Sequence, residues 1–327
     1  MKTQSSVFIK TPLVSVVIIT YNQDLTLRQT IEYILNQECE FSYEIIIGED
    51  CSVDETRNIC LEFQRKFPEK IKLVLFDKNG GLVNNWLTCI NEARGKYITS
   101  CAGVDDWHNP NKLQLQVDYM EIHLSCGVLH TDFDELNVLT NKITKSYRDT
   151  MKNDIPQGYV QKQIFDGRLH ISAPTVCIRK ELFDKFIPVD KYIELNFPIE
   201  DWPTWVILSK YSEVNYLPIS TVTYRRGHES VSNLQNYDAI ETKFSREKKM
   251  YKYLCDIFPN DLIFDGKGYD SYVYSVLLNL AFKQKDYRKA NQFGKKIGNK
   301  SVKVVCSQNR ILFWIFFFFK QVRKSQS

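Results

Sequence analysis

Apolar blocks and amphipathic stretches alternate along the first third of the chain. The run LVSVVIIT (13–20) is continuously apolar and rich in β-branched residues, which is typical of a strand buried on both faces. Apolar residues at helical spacing follow it between residues 25 and 35. The same order then repeats, with predicted strands at 43–50, 70–76 and 95–101 and predicted helices at 53–67 and 82–93. Repeats of this kind predict an α/β fold with right-handed crossovers and a parallel sheet.

Polar side chains follow each of the four predicted strands. Ligands bind beyond the carboxyl ends of parallel strands, so these side chains are expected to share one edge of the sheet. They are Thr20 and Tyr21 after the first strand, Asp50 after the second, Asn79 after the third, and Asp105 and Asp106 after the fourth. Taken singly, each has a structural explanation as a loop aromatic, a cap or a turn residue. Taken together, they predict a ligand site.

The adjacent acids Asp105 and Asp106 indicate the kind of ligand. Like charges side by side cost free energy unless something positive compensates them, and the residues beside them in the sequence carry no positive charge. The chain has neither G-x-G-x-x-G nor G-x-x-x-x-G-K-[ST]. A divalent cation such as Mg²⁺ or Mn²⁺ would bridge the two carboxylates to a nucleotide diphosphate. The alternative is that the pair caps a helix that begins near Pro110.

Five motifs, in a fixed order, carry a family resemblance. They are VSVVIITYN (14–22), EIIIGEDCSVDET (44–56), KNGG (78–81), ARGKYI (93–98) and GVDDWHNPNKLQ (103–114). In this order they resemble the family 2 glycosyltransferases of the GT-A fold, especially bacterial enzymes that build surface polysaccharides. The resemblance covers residues 13–232 and implies a mostly parallel, Rossmann-like sheet flanked by helices. It also implies metal-dependent, inverting transfer of a sugar from a nucleotide-sugar, often a UDP-sugar, to a hydroxyl of a glycan or lipid-linked acceptor.

The resemblance assigns roles on the donor side of the site. Thr20 and Tyr21 match the pair that contacts the nucleotide base, with Tyr21 expected to pack on it. Asp50 matches the acid that hydrogen-bonds the base, and a pyrimidine imide N–H is the donor that such a carboxylate would accept from. Asn79, in the KNGG motif, is expected to contact the donor as well.

The metal-binding segment departs from the family pattern. Asp105 aligns with the acid that holds the metal, but Val104 stands where the family has another acid. Asp106 replaces an aromatic residue and is expected to compensate in part. This departure motivates an alternative function, a non-catalytic GT-A-like module that binds a nucleotide-sugar or glycan. A nucleotidyltransferase is not favoured, because no glycine-rich basic loop follows the first strand.

The segment PIEDWPTWVILSKY (198–211) resembles the part of the family's site that activates the acceptor. On that match Asp201 is the general base, which takes the proton of the attacking hydroxyl, and Glu200 is a neighbour that shapes the acceptor pocket. The alternative is that both are acids placed for the dipole at the start of a helix. The two interpretations are compatible, because a base at the rigid start of a helix is well oriented.

The segment TYRRGHESVS (223–232) resembles the one that follows the last strand in many relatives. His228 matches the histidine that reaches the diphosphate or the metal. Arg225 and Arg226 are expected to neutralise diphosphate charge as the leaving group departs. A surface position on an edge strand is the alternative for Arg226.

Four segments are expected along the chain: an N-terminal extension (1–12), the GT-A domain (13–232), a helical C-terminal region (233–300) and a basic, aromatic tail (301–327). The apolar core of the tail, 311–319, is much shorter than the ~20 residues that span a bilayer. Basic residues flank it, which predicts peripheral association with the cytoplasmic face of the inner membrane. A core helix packed on the catalytic domain is the alternative.

Composition narrows the partners and the compartment. The net charge of +4 over 327 residues is mild, so nucleic acid is not an expected partner. None of the nine cysteines forms a C-x-x-C pair, and no secretory signal precedes the first strand. These observations predict a cytoplasmic protein whose cysteines are reduced and mostly buried.

Overall fold

The computed structural model describes residues 2–4, 11–148, 150, 154–226, 236–298 and 301–316. The chain divides into two compact units, residues 1–228 and 229–327, each with its own hydrophobic core. His228, the expected diphosphate or metal contact, lies outside the described residues. The predicted domain boundary at residue 232 and the tail residues 317–327 lie outside them as well.

The first unit is built on one sheet. Its strands in the described part of the chain are β1 (Lys2–Gln4), β2 (Val14–Thr20), β3 (Tyr43–Glu49), β4 (Ile71–Leu75), β5 (Tyr97–Ala102), β6 (Cys126–Asn137), β7 (Lys142–Thr144), β8 (Val176–Arg179) and β9 (Glu213–Arg226). Strands β4, β3, β2 and β5 run parallel in that spatial order, which confirms the predicted parallel core. Strands β2 and β3 are buried along their whole length, as their continuous apolar runs predicted.

Helices connect these strands. They are α1 (Asp24–Leu35), α2 (Thr56–Lys66), α3 (Leu82–Asn91), α4 (Lys112–Ile122), α5 (Gln161–Phe165), α6 (Lys180–Phe186), α7 (Val189–Glu194) and α8 (Asp201–Tyr211). Helices α1, α2 and α3 are the crossovers between successive parallel strands, and they begin and end within a few residues of their predicted bounds. Each crossover returns the chain to the same end of the sheet, so the loops after β2, β3, β4 and β5 share one edge.

The second half of the sheet is mixed rather than parallel. Strand β8 pairs antiparallel with β5 and β6, whereas β6 pairs parallel with β9. Residues 134–160 show no hydrophobic periodicity in the sequence, yet β6 extends to Asn137 and pairs antiparallel with β7. Buried polar residues interrupt the apolar pattern of β6, so the sequence pattern does not indicate a strand there. Asp134, for example, is 2% exposed, and its carboxylate accepts hydrogen bonds from Ser220 Oγ (2.7 Å) and the Ser146 N–H (3.0 Å).

Two motif residues after β5 pack in the core instead of entering the site. Trp107 and Lys112 are both buried, and the ammonium of Lys112 lies 4.0 Å from the centroid of the Trp107 ring. Lys112 Nζ donates to Gln116 Oε1 (2.7 Å) and Thr99 Oγ1 (3.2 Å). Burial lowers the pKa of Lys112 to about 8. These contacts fix the start of α4 and thereby the segment that carries Asp105.

The second unit is helical in its described part, as its sequence pattern predicted. Its helices are α9 (Tyr237–Ile257), α10 (Gly266–Lys283), α11 (Tyr287–Gly294) and α12 (Val302–Ser307), and residues 310–316 are also helical. Leu277, Phe293 and Phe313 are fully buried in its core. Among the described residues, no helix combines the length and apolar character needed to cross a bilayer.

All nine cysteines have free thiols. Cys60, Cys89, Cys101, Cys126 and Cys177 are buried, and burial raises the pKa of each of these thiols. They behave as small apolar core residues, as the spacing of the cysteines predicted.

Candidate active site

Hydrogen bonds tie the loop after β2 to the loop after β3. The Asn22 N–H donates to Ser52 Oγ, and the Val53 N–H donates to Asn22 Oδ1, each at 3.0 Å. Thr20 is buried, and its hydroxyl donates to Gln23 Oε1 at 2.9 Å. Tyr21, by contrast, is 44% exposed. The loop therefore presents an aromatic ring to solvent on a fixed backbone, which suits stacking on a nucleotide base.

Asp50 organises the neighbouring loop after β4. Its two carboxylate oxygens accept from the Gly80 N–H (2.6 Å) and the Gly81 N–H (2.9 Å). Asn79 Nδ2 donates to the Asp50 carbonyl at 3.3 Å, and its side chain is exposed. Burial raises the pKa of Asp50, and the two amides oppose that effect. Each oxygen keeps a second lone pair, so the predicted hydrogen bond to a base remains chemically open.

Asp106 already has a positively charged partner. Arg225 from β9 contacts Asp106 Oδ2 at 2.6 Å, and the Thr223 N–H donates to the Asp106 carbonyl at 2.8 Å. The inference that only a metal could compensate the adjacent acids is therefore corrected for Asp106, because a strand 119 positions later supplies the charge. Both side chains were predicted to contact the donor, and the structure pairs them with each other. Arg226 is mostly exposed and lies 3.6 Å from Glu135.

Asp105 is the acid that is left for a metal. It is 6% exposed, and its Oδ2 accepts from the Ala102 N–H at 2.8 Å. Burial raises the pKa of Asp105 to about 7, and the charge of Asp106 adds to that rise. No cluster of three or more His, Cys, Asp or Glu side chains within the described ranges could enclose a metal. Asp105 therefore fits an ion that arrives with a diphosphate, because such an ion needs only one or two protein carboxylates.

Glu200 and Asp201 lie together where α8 begins. Asp201 Oδ1 accepts from the Trp202 N–H at 2.7 Å, which orients the carboxylate. Glu200 is 7% exposed, and its Oε2 has no hydrogen-bond partner in the part of the chain that the structure describes. Burial raises the pKa of both groups, and the charge of Asp201 contributes to raising that of Glu200 to about 8. Glu200 therefore holds a proton near neutral pH while Asp201 is the better candidate for a base.

Tyr224 of β9 lies beside the segment that carries the adjacent acids. The residues on either side of it contact Asp106, through the Thr223 N–H (2.8 Å) and the Arg225 guanidinium (2.6 Å). Burial is the main cause of the raised pKa of Tyr224, and the negative charges of Asp105 and Asp201 add to the rise.

A family model matches the first part of the chain, up to the end of α6. The model described as glycosyl transferase family 2 matches residues 15–187, which is more than half of the 327-residue chain. The chain belongs to glycosyl transferase family 2. The match spans β2 to β5, the segment with Asp105, and the sheet out to α6, and it confirms the family that the ordered motifs indicated.

Curated relatives of this family 2 chain carry related names. Over 138 residues it is 34% identical to a protein of Bacillus subtilis named putative glycosyltransferase EpsE. The aligned residues cover 41% of this chain and 49% of EpsE. Over 293 residues it is 25% identical to the dTDP-rhamnosyl transferase RfbG of Shigella flexneri. The aligned residues cover 84% of this chain and 95% of RfbG. The chain spans between 49% and 59% of the length of the first curated relatives that it matches.

Solved structures with the same architecture include TarS and a mannosyltransferase. Staphylococcus aureus TarS (residues 1–349) in complex with UDP-GlcNAc superposes with a TM-score of 0.57 at 17% identity, covering 89% of this chain and 82% of TarS. The mannosyltransferase PcManGT of Pyrobaculum calidifontis, in complex with GDP-Man and Mn²⁺, has a TM-score of 0.51 at 13% identity, covering 91% of this chain and 78% of that one. This likeness confirms the GT-A fold.

Three polar residues of this region have no role assigned by the sequence motifs. Tyr224 lies inside the motif TYRRGHESVS without a role of its own, and His170 and Arg148 lie outside the motifs. Desolvation lowers the pKa of His170, the charge of Asp201 opposes that effect, and the charge of Arg148 adds to it. No motif could have found Arg148, because it follows the short strand β7 in a stretch of mixed polar residues.

Proposed function

We propose that this chain is an inverting glycosyltransferase that moves a sugar from a nucleotide-diphosphate sugar, preferably a UDP-sugar, to a hydroxyl of a glycan or lipid-linked acceptor in cell-surface polysaccharide biosynthesis. The family match over residues 15–187 carries the proposal, because that stretch holds the donor-side residues Tyr21, Asp50 and Asp105. Asp105 after β5 is then the carboxylate for the donor, and Asp201 at the start of α8 is the carboxylate for the acceptor. TarS in complex with UDP-GlcNAc and the name of RfbG as a dTDP-rhamnosyl transferase support a nucleotide-sugar donor.

The proposed reaction forms one bond and breaks one. The acceptor oxygen attacks the anomeric carbon on the face opposite the diphosphate, and its proton passes to Asp201. The bond between the anomeric carbon and the diphosphate oxygen breaks, and both electrons leave with the diphosphate. Asp105 would hold Mn²⁺ or Mg²⁺, an ion that supplies positive charge to the leaving diphosphate. Burial around Asp201 raises its affinity for the proton that it must accept.

The alternative function, a non-catalytic nucleotide-sugar or glycan binding module, rests on Val104. The buried pair at the start of α8 favours catalysis instead. Glu200 keeps one oxygen unpartnered within the described structure, and its neighbour has a raised pKa. Carboxyl groups held at such a cost in free energy are typical of proton-transfer sites, whereas a binding module has no use for a base there.

Donor binding is the first test. Titration calorimetry with UDP, GDP, dTDP and UDP-sugars, in Mn²⁺ or Mg²⁺ and then in chelator, is expected to show metal-dependent binding of one nucleotide. Asp105→Asn is expected to remove the metal-dependent part of the affinity, because it removes the only buried carboxylate there that lacks a basic partner among the described residues. Binding that metal and this substitution leave unchanged would contradict the role of Asp105.

Catalysis is tested at Asp201. With the donor identified, Asp201→Asn is expected to lower the transfer rate by at least ~10²-fold and to leave nucleotide affinity within about twofold, because only the proton acceptor is lost. Asp190→Asn is the matched control, since Asp190 is an exposed acid in the first turn of α7. Equal losses of donor binding and transfer in Asp201→Asn would overturn the assignment of the base.

Peripheral association with the inner membrane surface is part of the proposal. In the helical segment 310–316, Phe313 is fully buried while Ile311, Trp314 and Ile315 are exposed. Arg310 directly precedes Ile311 in the sequence, and Lys303 lies seven positions before Arg310. An apolar helix face with nearby cations is the combination that binds anionic bilayer surfaces, and it would bring the enzyme to a lipid-linked acceptor.

A further inference from the structure

The half of the sheet beyond β5 contains buried polar atoms without partners. His130 and Asp132 on β6 are 0% and 1% exposed, and Arg148, after β7, is 9% exposed. Both ring nitrogens of His130, Asp132 Oδ2 and Arg148 Nε make no hydrogen bond with any residue that the structure describes. Buried polar atoms in folded proteins are almost always paired, so several unpaired atoms close together indicate a site for a polar occupant.

Arg148 is the member of this group whose burial costs the most free energy, because it is charged. Burial lowers the pKa of Arg148, and Tyr216 and Asp132 oppose that effect only in part. Asp132 Oδ1 accepts from the main-chain N–H groups of Arg148 (3.1 Å) and Phe133 (2.8 Å), and Arg148 Nε has no hydrogen-bond partner among the described residues. Arginine stays charged in proteins, and a buried charge that is only partly compensated costs free energy. The expected occupant is therefore an anion.

The group lies on the acceptor side of the proposed site. Arg148 and His170 both contribute to lowering the pKa of His130, which burial lowers to about 3. Trp202, next to the proposed base Asp201, donates from Nε1 to the Ile164 carbonyl at 3.2 Å and packs 5.8 Å from Phe165, so the segment that leads to His170 lies against the start of α8. Strand β8, which follows His170 in the chain, pairs with β6 at His130. His130 is held in place by Tyr216. The two rings lie 5.0 Å apart, and the two residues pair where β6 runs beside β9.

We propose that the acceptor of this enzyme carries an anionic group, a carboxylate or a phosphate, which Arg148 binds next to the hydroxyl that Asp201 deprotonates. The inference rests on the proposed function and specifies its acceptor class. His130 Nδ1 or Nε2 donates to the anion or to an adjacent hydroxyl, and Asp132 Oδ2 accepts from a hydroxyl of the same sugar. Arginine suits this role because its planar fork of N–H donors matches carboxylate and phosphate oxygens.

The test compares charged and neutral acceptors of the same shape. Binding of methyl β-D-glucuronide, methyl β-D-glucoside and methyl β-D-glucoside 6-phosphate is measured by NMR titration, with the nucleotide diphosphate that binds best present at saturation. At least one charged glycoside is expected to bind at least ~10-fold more tightly than the neutral one. A gain in affinity of this size is what a hydrogen bond to a charged group contributes. The glucuronide and the phosphate distinguish the two sources of the anion.

Arg148→Gln is expected to abolish the preference for the charged glycoside and to leave nucleotide affinity unchanged. Arg168→Gln is the matched control, because Arg168 is an exposed arginine paired with Asp166. If Arg148 is a buried charge kept for a ligand, Arg148→Gln is not expected to lower the melting temperature. If Arg148 only stabilises the fold, the same substitution lowers it. That melting temperature is measured for both variants.

Distinct results separate this inference from the proposed function. Nucleotide binding without any preference for a charged glycoside, or a preference that survives Arg148→Gln, overturns the anionic acceptor alone. A marked loss of stability in Arg148→Gln assigns the residue to the fold and overturns it too. Absence of binding by every nucleotide diphosphate contradicts the proposed function itself.

Discussion

At the residue scale, the start of α8 concentrates the chemistry in two neighbouring side chains. The dipole of a helix favours negative charge at its N-terminus, which helps Asp201 to ionise. Glu200 sits in the same place but is more buried, and the charge of its neighbour opposes its ionisation. In the proposed mechanism the pair therefore divides the roles, with the proton of the resting state on Glu200 and the vacant proton site on Asp201.

The same pair makes stability depend on pH. A carboxyl group with a raised pKa keeps a proton in the folded state that the unfolded chain has lost, so the free energy of unfolding falls as pH rises from about 4.5 to about 8. Glu200→Gln removes this effect. We expect the variant to match the wild type near pH 5 and to be more stable at pH 8 by on the order of a few kcal/mol.

Calorimetric unfolding at several pH values measures this difference. Glu194→Gln is the control, since Glu194 is a mostly exposed glutamate near the same helix that pairs with Lys191 at 2.6 Å. A pH slope in Glu200→Gln equal to that of the wild type would show that Glu200 does not carry the buried proton. The test needs no substrate, so it stands apart from the assignment of the donor.

At the element scale, the loop between β4 and α3 depends on one glycine. Gly81 has φ +83° and ψ 162°, a conformation that residues with a Cβ rarely adopt, and its N–H donates to Asp50. A Cβ at Gly81 would meet no atom within 4 Å, so the cost of a side chain is conformational. Gly81→Ala is expected to destabilise the fold by about 1–3 kcal/mol and to weaken nucleotide binding, because Asp50 loses its orientation.

Denaturant unfolding and nucleotide titration measure these two effects. Gly298→Ala is the matched control, because Gly298 also has open space around it but no positive φ. Full nucleotide affinity in Gly81→Ala would separate this loop from the donor site. A stability equal to that of the control would contradict the strain at Gly81.

Elements differ in how far the sequence could predict them. Strands β2 to β5 and their crossovers were predictable, because burial on both faces demands continuous apolar runs and each run is followed by a helical pattern. The ion pair of Asp106 and Arg225 was not, since the partners are 119 positions apart and meet only because β9 lies beside the end of β5. Arg148 was hidden for a related reason. Its neighbours across space, His130 and Asp132, lie on β6, where buried polar residues interrupt the apolar sequence.

At the scale of the whole molecule, the mild net charge of +4 gives no general attraction to an anionic surface. Membrane association must therefore come from a local feature. The segment 310–316 is fixed to the core of the second unit by Phe313, whose ring packs 4.7 Å from Phe282. Ile311, Trp314 and Ile315 are 71%, 46% and 40% exposed on the same segment. Apolar residues that cluster on a surface in this way are typical of an interaction site.

The substitutions Ile311→Asp and Trp314→Asp, made together, test this feature without entering the core. Flotation with vesicles of 70% phosphatidylcholine and 30% phosphatidylglycerol is expected to recover the wild-type chain, and the double variant is expected to bind more than ~10-fold less, because two apolar side chains no longer insert. Ile263→Asp is the control, since Ile263 is an 82% exposed isoleucine in the same unit.

The dependence on salt tests the contribution of the basic residues. At 0.5 M salt the electrostatic screening length is roughly half of its value at physiological salt. Binding is expected to weaken only in part, because insertion of apolar side chains does not depend on that screening. Equal recovery of the wild type and the double variant would assign these side chains to another role, and equal binding to neutral vesicles would remove the basic residues from the explanation.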